Sequence, residues 1–399
     1  MMPSSSDGPK LTALGKLFVA LFVIACVAGA YYLFLGKKAV EQTKQVTGNI
    51  LGGGPQVEIG IAYGTEKQRW LEWAVSEFAK TSDGKRISVD LIPMGSLEGA
   101  HAILGGDKRI NVWSPASAVY KDIFVQEWQV KNGGGNPIIK EEPLALTPMV
   151  FVVWNERYKA FLQKYKVMNL DTINQALQEK SGWDAIAHQP DWGLFKFGHT
   201  HPNESNSGLI VLVLAAYAYN HKTRDLTVGD VVNANFQQWL TSLEHSTSGF
   251  SNSTGNMMKE MVLKGPSSYD ALMVYEAVAI DYLKNAAGRW GELRVVYPEY
   301  NAWNENPYYI IDAPWSTPDQ RKAAQAFLDF LLSDRIQREA LVHGFRPANP
   351  NVPVKFAESP LVKYAANGVQ VDLQKICEPP KAEVVNNLLQ SWQRAQSNR

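Results

Sequence analysis

The chain has 399 residues, of which 45% are hydrophobic and 20% are charged, a composition typical of a packed globular protein rather than a disordered one. Its 39 Lys and Arg residues balance its 39 Asp and Glu residues, and no run of like charge stands out. This pattern argues against a nucleic-acid-binding surface. The two cysteines, Cys26 and Cys377, lack the spacing of a zinc or CxxC motif.

Residues 17–35, LFVALFVIACVAGAYYLFL, form an uncharged apolar run with lysines on both sides. About 20 apolar residues suffice to cross a bilayer, whereas the apolar part of a cleaved signal peptide usually has about 7–15. We therefore expect an uncleaved transmembrane signal anchor at 17–35, with 1–16 in the cytoplasm. The alternative is a lipoprotein signal ending at Cys26, although the residues after this cysteine remain apolar.

Residues 36–55 are polar and then rich in glycine, as in a flexible linker. If the chain is bacterial, an anchor before this linker would hold the remainder at the inner membrane, in the periplasm or the extracellular space. The glycines are not followed by the Lys-Ser or Lys-Thr pair of a phosphate-binding loop.

From Val57 onward, short apolar runs alternate with segments whose apolar residues have helical spacing. The first predicted strands are 57–63, 86–93 and 110–115, and the helices between them are 66–80 and 98–104. Such alternation predicts a parallel sheet with helices on both faces.

Two longer apolar runs, 144–154 and 308–315, exceed the usual five or six residues of a strand. This length would let a strand leave one lobe and enter another, so we expect the chain to pass between two lobes twice. Between these runs, 269–282 is predicted to be helical. The expected boundaries are 56–147 for the first part of lobe 1, 148–303 for lobe 2, 304–350 for the returning part of lobe 1, and 351–399 for a C-terminal extension packing on lobe 1.

The loops after the predicted parallel strands should face a cleft between the lobes. They are Gly64-Thr65, Gly95-Ser96, 114–117 and the stretch HTHPNESNSG at 199–208. Small hydroxyl side chains and glycines let backbone N–H groups at helix starts approach a ligand. A single such loop would be explained by helix capping alone, but four on one side of a cleft favour a ligand site.

The stretch HTHPNESNSG precedes an apolar block that is too short to span a membrane, so the block is predicted to be a buried helix. His199 and His201 would share one face of a strand and could hold a metal. No third ligand at suitable spacing is evident, so we predict no metal site. Glu204 would repel an anion bound at the helix start, which argues against a site for a bare oxyanion.

Enzyme motifs, namely GxSxG, HExxH, a Walker loop and GxGxxG, do not occur in the chain. We therefore expect no catalytic residues, no enzymatic activity and no cofactor.

The chain resembles the type II solute-binding proteins of bacterial ABC transporters, in their molybdate- and sulfate-like branch. Four stretches carry the resemblance: HTHPNESNSG at 199–208, SSYDALMVYEAVAI at 267–280, VVYPEY at 295–300, and AAQAFLDFLLSDRIQREALVHGFRPANP at 323–350. The resemblance spans roughly residues 57–350, which is most of the chain after the linker.

The resemblance implies an α/β fold of two lobes, each a mainly parallel sheet with flanking helices, that close on a ligand about a strand hinge. The binding residues it implies are Thr65, Ser96, Ser114, Ser205, Ser207 and Tyr269. Arg346 is expected to brace lobe 1 rather than touch the ligand. The implied partners are a small polar solute or oxyanion and an ABC transporter permease.

The anchor and the extension 351–399 depart from this family pattern. They leave open an alternative function, in which a membrane-anchored sensor or scaffold uses the same fold to engage a protein partner.

Overall fold

The computed structural model describes residues 56–286, 288, 290–373 and 375–397. The predicted anchor at 17–35 and the linker at 36–55 lie outside the described residues. Within the part that is described, no helix combines the length and the apolar character needed to cross a membrane.

Strands and helices follow one another from Val57 to the C-terminus. The strands are β1 Val57–Tyr63, β2 Ile87–Pro93, β3 Val112–Ser114, β4 Ile138–Pro143, β5 Ala145–Leu146, β6 Met149–Trp154, β7 Phe197–Thr200, β8 Phe250–Ser251, β9 Ala271–Tyr275, β10 Leu293–Val296, β11 Tyr300–Asn301, β12 Pro307–Ile311, β13 Arg346–Pro347 and β14 Lys375–Ile376. The helices are α1 Gln68–Phe78, α2 Ser96–Leu104, α3 Lys121–Asn132, α4 Asn155–Tyr165, α5 Leu170–Leu177, α6 Trp183–Ala187, α7 Asn206–Tyr219, α8 Val228–Val232, α9 Ala234–Ser246, α10 Thr254–Lys264, α11 Glu276–Ala286, α12 Pro318–Leu331, α13 Asp334–Val342, α14 Pro360–Lys363 and α15 Ala382–Ser397.

Two five-stranded sheets form the centres of two lobes. The strand order is β2-β1-β3-β12-β4 in lobe 1 and β10-β6-β9-β7-β8 in lobe 2. The predicted two-lobed α/β architecture is therefore confirmed.

The sheets are mixed rather than mainly parallel, which corrects the prediction. In lobe 1, β1 is parallel to β2 and β3, but β12 is antiparallel to β3 and β4. In lobe 2, β7 is parallel to β8 and β9, but β6 is antiparallel to β9 and β10. The reason is topological: β6 and β12 enter their sheets from the hinge side and so run away from the cleft.

The hinge consists of two neighbouring chain segments. The first predicted crossing, 144–154, divides into β5 and β6 around Thr147, which forms backbone hydrogen bonds of 3.0 Å in both directions with Asn304. The return crossing therefore lies near Asn304, and its predicted position at 308–315 is wrong. The apolar residues there form β12, which is buried between β3 and β4 inside the sheet of lobe 1.

The segment 269–282 is not one helix. It contains β9, whose five residues are all buried, followed directly by α11. A short apolar run that is buried on both faces has no alternating pattern, so periodicity alone could not separate this strand from the helix that follows.

The long helix α7 carries the apolar block after HTHPNESNSG, and residues 206–217 are buried around its whole circumference. This matches the expectation of a buried helix. It packs against β7 and β9 of the sheet on one side and against α9 and α15 on the other. A helix that is apolar on all sides requires such complete coverage.

The C-terminal extension packs mainly on lobe 2, not on lobe 1 as predicted. After β13 it reaches lobe 2 where Asn367 Nδ2 donates to the Leu293 carbonyl at 3.0 Å. It continues as β14, which pairs with β11, and ends in α15, which packs on α7, α8 and α9 and also touches the turn 118–120 of lobe 1. The chain thus passes between the lobes a third time.

Candidate functional site

A cavity of 960 Å³ lies between the lobes, at the ends of the strands that run toward the hinge. Most of its lining residues come from 64–70 and 93–101 of lobe 1 and from 203–206, 252–259 and 275–282 of lobe 2, and Ala116, His343 and Phe345 complete the lining. We call this space the interlobe cavity. Its position agrees with the rule that open α/β sheets bind ligands beyond the carboxyl ends of their strands.

Five helices begin at residues that line or adjoin the interlobe cavity: α1 at Gln68, α2 at Ser96, α7 at Asn206, α10 at Thr254 and α11 at Glu276. The first N–H groups of a helix have no intrahelical partner and carry partial positive charge. The cavity wall therefore offers backbone donors from both lobes.

The two lobes touch each other around the cavity. Side-chain contacts join them as follows: Thr65 Oγ1 to Ser253 Oγ at 3.3 Å, Arg69 Nη1 to Asp281 Oδ1 at 2.7 Å, and Ser117 Oγ to Asn206 Oδ1 at 2.8 Å. Gly95 also lies so near lobe 2 that a Cβ at this position would be 2.6 Å from the Glu204 carbonyl oxygen. The structure is therefore that of a closed form.

Asn206 connects the lobe-to-lobe contact to the hinge. Its Nδ2 donates to the hydroxyl of Tyr275 at 2.8 Å and to Oδ1 of Asn304 at 3.2 Å, while its Oδ1 accepts from Ser117. Burial raises the pKa of Tyr275 well above its ordinary value, so its hydroxyl stays protonated. This amide thus links lobe 1, lobe 2 and the hinge through neutral hydrogen bonds.

A buried ion pair forms part of the lobe 1 wall. Lys67 is fully buried and its Nζ donates to Glu66 Oε1 at 2.5 Å, to Asn306 Oδ1 at 3.0 Å and to the Pro115 carbonyl at 3.3 Å. Burial lowers the pKa of Lys67, and the Glu66 carboxylate opposes that shift. Because Glu66 lines the cavity, the pair places a carboxylate at its surface.

Three further carboxylates line the cavity: Glu98 from lobe 1, and Glu204 and Asp281 from lobe 2. Glu98 accepts a hydrogen bond from the Gly95 N–H at 3.0 Å, which satisfies the start of α2. The side chain of Glu204 is 56% exposed, and its Oε1 is 4.0 Å from Nδ1 of His201. Lys259, on α10, also contributes to the lining.

The lobe 2 wall rests on a network of neutral hydroxyl groups centred on Ser207. Its Oγ lies 2.6 Å from Thr200 Oγ1, 2.7 Å from Thr254 Oγ1 and 3.2 Å from Ser205 Oγ. These contacts fix the starts of α7 and α10 against the end of β7. Gly208 permits this approach, because a Cβ there would lie 2.1 Å from the Thr200 carbonyl oxygen.

The structure brings some of the predicted site residues together and not others. Thr65, Ser96 and Ser205 line the cavity, although Ser96 Oγ also accepts from the Ala116 N–H at 3.1 Å. Ser114 and Ser207 are fully buried and lie outside the lining, so they are placed behind the wall and not at its surface.

Tyr269 is not at the cavity, and its prediction as a binding residue is corrected. It precedes β9, whose other end at Tyr275 lines the cavity. Six residues of extended chain separate the two by about 20 Å, at roughly 3.3 Å per residue. The family resemblance implied this residue, and the prediction of one helix over 269–282 gave no sign that Tyr269 and Tyr275 lie at opposite ends of a strand.

Sequence reasoning missed Asn206, Ser253 and Tyr275 as individual site residues. Asn206 belongs to the stretch HTHPNESNSG. Its position as the first residue of a helix is the signal that could have identified it as a site residue. Ser253 was within a loop of small polar residues, where it caps α10 by accepting from the Asn256 N–H at 3.4 Å. The partners of Asn206 and Ser253 in lobe 1 are distant in sequence, so no local sequence pattern indicates these contacts.

His199 and His201 pack against neighbouring side chains. His199 is fully buried, with Nε2 3.2 Å from Glu244 Oε1 and Nδ1 2.8 Å from the Thr200 carbonyl, and His201 packs edge to face on Trp392 at 4.5 Å. Burial alone would lower the pKa of His199, but the charge and hydrogen bond of Glu244 raise it. Among the described residues, no group of three or more His, Cys, Asp or Glu side chains could hold a metal ion.

Arg346 connects the lobes instead of bracing lobe 1 alone. Its Nε and Nη2 donate to the two carboxylate oxygens of Glu276 at 2.8 and 2.7 Å, and both side chains are buried. Since β13 pairs with β5 while Glu276 begins α11, this ion pair joins the hinge to lobe 2.

Comparisons with known proteins agree with this architecture. The thiosulfate-binding protein of Pseudomonas aeruginosa is 35% identical over 89 residues, a match that spans 22% of this chain and 26% of that protein. The sulfate-binding protein SubI from Mycobacterium tuberculosis H37Rv superimposes with a TM-score of 0.55 at 16% identity, covering 86% of this chain and 99% of that one. The periplasmic binding protein AfuA from Actinobacillus pleuropneumoniae, bound to exogenous fructose-6-phosphate, gives a TM-score of 0.58 at 13% identity, covering 86% and 99%.

At these identities the solved structures establish the fold alone. The family described as bacterial extracellular solute-binding protein matches residues 59–346, which is most of the chain and includes every part of the interlobe cavity. The chain therefore belongs to the bacterial extracellular solute-binding protein family.

Proposed function

We propose that this protein captures a small polar solute in the interlobe cavity and delivers it to an ABC-type transporter. The observation that carries the proposal is the interlobe cavity itself, which is lined by helix starts, hydroxyl groups and amides from both lobes. A solute held there would make contacts with both lobes at once, so it would stabilise the closed form over an open one.

Non-covalent capture fits the chemistry of the lining. The hydroxyl groups that line the cavity and the Asn206 amide pair with one another or with backbone groups, and Tyr275 keeps its proton. Such groups can exchange their mutual hydrogen bonds for bonds to a solute without any covalent step. The thiosulfate- and sulfate-binding relatives support a solute with acceptor oxygens, which would suit helix-terminal N–H groups.

A thermal-shift panel of oxyanions and small polar metabolites tests the proposal. A solute that binds only the native state raises the melting temperature, and the rise grows with the logarithm of its concentration once this exceeds the dissociation constant. The variants Thr65→Val and Ser253→Ala each remove a hydroxyl at the cavity, and each should weaken binding about two- to tenfold if one neutral hydrogen bond is lost.

Ser181→Ala is the matched control, since this exposed serine lies outside the cavity lining. Equal affinity in all three variants would contradict the proposed site. Absence of any stabilising solute, together with copurification of a membrane protein other than a permease, would instead support the sensor or scaffold function.

We further propose that residues 17–35 tether the protein to the inner membrane with its binding domain outside the cytoplasm. The uncharged run of apolar residues supports this. The protein should remain with membranes after an alkaline carbonate wash. A Cys26→Ser variant that is released would show instead that a lipid on this cysteine is the anchor.

A further inference from the structure

The size of the interlobe cavity in the closed form restricts what can fill it. The lobes already touch at Thr65–Ser253, at Arg69–Asp281 and at Gly95–Glu204, yet 960 Å³ remains between them. This is the upper part of the range of about 300–1,000 Å³ that is usual for sites of metabolite-sized organic ligands. A tetrahedral inorganic anion would leave most of this space to water.

The charges on the cavity wall also disfavour a bare multivalent anion. The two cations nearest the lobe 1 wall are already paired, Lys67 with Glu66 and Arg69 with Asp281. Glu98 and Glu204 line the same cavity as Lys259, so the lining offers no excess of positive charge. Carboxylates at a binding surface repel a second anion but accept hydrogen bonds from hydroxyl and ammonium groups.

The helix starts impose the opposite requirement. Glu98 already accepts from the Gly95 N–H, and Ser253 accepts from the Asn256 N–H. The remaining N–H groups in the first turns of α2, α7 and α10 are donors that favour acceptor oxygens. A solute that satisfies the whole wall must therefore carry both kinds of group.

On the basis of the proposed function, we infer that the solute is an organic molecule that bears an anionic or other acceptor group for the helix N–H groups and hydroxyl or ammonium donors for the cavity carboxylates. Glu204 selects for those donors. Its side chain is the most suitable of the carboxylates for this role, because it is partly exposed and is not engaged in a short ion pair.

Native mass spectrometry of the freshly purified full-length protein, followed by extraction and identification of the bound solute, tests the inference. We expect an organic compound with an acidic group and at least one hydroxyl or amine. A thermal-shift series would compare inorganic sulfate and phosphate with ethanesulfonate, taurine and glycerol 3-phosphate. Stabilisation by the donor-bearing compounds and not by the inorganic anions is expected.

Glu204→Gln examines the selecting residue directly. This variant should bind the identified solute about tenfold more weakly, the loss expected for one charge-assisted hydrogen bond at a partly exposed position. An analogue that lacks the hydroxyl or amine should bind the variant and the parent equally, which a merely structural role of Glu204 would not produce. Glu127→Gln, an exposed glutamate of α3 outside the lining, is the matched control and should bind as the parent does.

The possible failures are distinguishable. A bound inorganic oxyanion, or unchanged affinity in Glu204→Gln, would overturn this inference and leave the proposed function standing. No solute in the purified protein and no stabilising compound in the series would contradict the proposed function, and this inference would fall with it.

Discussion

The two walls of the interlobe cavity are held in place by different kinds of interaction. In lobe 1, charged groups fix the wall: the buried Lys67 pairs with Glu66, and Glu98 binds the Gly95 N–H. In lobe 2, neutral hydroxyl groups around Ser207 hold the wall in place. A buried charge pair is vulnerable because losing one member strands the other, whereas a neutral network divides the loss among several weaker bonds.

The largest expected effect follows from breaking the charged wall. Lys67→Ala removes the cation from Glu66 and the donor from Asn306 and the Pro115 carbonyl. We expect the free energy of unfolding to fall by about 3–5 kcal/mol, as for other buried pairs that lose one partner. Urea unfolding followed by tryptophan fluorescence measures this loss.

The exposed pair of Lys80 and Glu77 provides a control. Lys80→Ala should change the free energy of unfolding by about 0–1 kcal/mol, since an exposed ion pair is worth little. The double variant Lys67→Met, Glu66→Gln should recover part of the loss. If it proved as unstable as Lys67→Ala, the charge of Glu66 would not be the cause.

Removing a group from the neutral wall of lobe 2 should lower the free energy of unfolding less than Lys67→Ala does. Ser207→Ala leaves the hydroxyls of Thr200 and Thr254 without their shared partner, and we expect a loss of about 1–3 kcal/mol in the free energy of unfolding. Since Ser207 lies behind the cavity surface, solute affinity should change less than in Thr65→Val. Calorimetric unfolding and a binding titration of the same variant separate the two quantities.

Lobe 2 also contains a buried histidine, His199, whose protonation should make the stability of the protein depend on pH. The Glu244 carboxylate raises the pKa of His199 above its ordinary value of 6.5 despite burial, so the protonated form is favoured in the folded state. Its contribution to stability is then complete below pH 6.5 and is lost as the pH rises through the raised pKa. Urea midpoints measured upward from pH 6 should fall, and His199→Gln should flatten this dependence; an equally steep decline in that variant would assign the effect to other groups.

The smallest effect on stability is expected for the Arg69–Asp281 ion pair, which joins the two lobes. Asp281→Asn weakens the pair with Arg69, whose side chain is 59% exposed, so the free energy of unfolding should change by about 0–1 kcal/mol. The pair joins the lobes, however, and its loss should favour opening. Small-angle scattering of the solute-free protein should show a larger radius of gyration, and an unchanged radius would mean that the other contacts suffice for closure.

The sequence predicted the architecture well because the alternation of apolar runs and helical spacing is local. It failed where the decisive information was tertiary. The residues of β12 look like a crossing strand until their place between β3 and β4 is known. The five buried residues of β9 lack a strand period, so the sequence could not separate this strand from α11.

The residues of the candidate site likewise divide into those with a local sequence signal and those without one. Helix-start chemistry identified the loops of Thr65, Ser96 and Ser205, since small polar residues before a helix form a local signal. Asn206 and Ser253 matter because their partners come from the other lobe. No spacing within one loop could reveal that pairing.

The C-terminal extension has a practical consequence for anyone producing this domain. Similarity to the family ends at residue 346, and a fragment designed to that boundary would look complete by homology. It would lack α15, whose Val384, Val385, Leu388 and Trp392 are buried on lobe 2. The exposed remainder would be an apolar patch of the kind that drives aggregation, so a well-behaved fragment should retain the chain through at least residue 397.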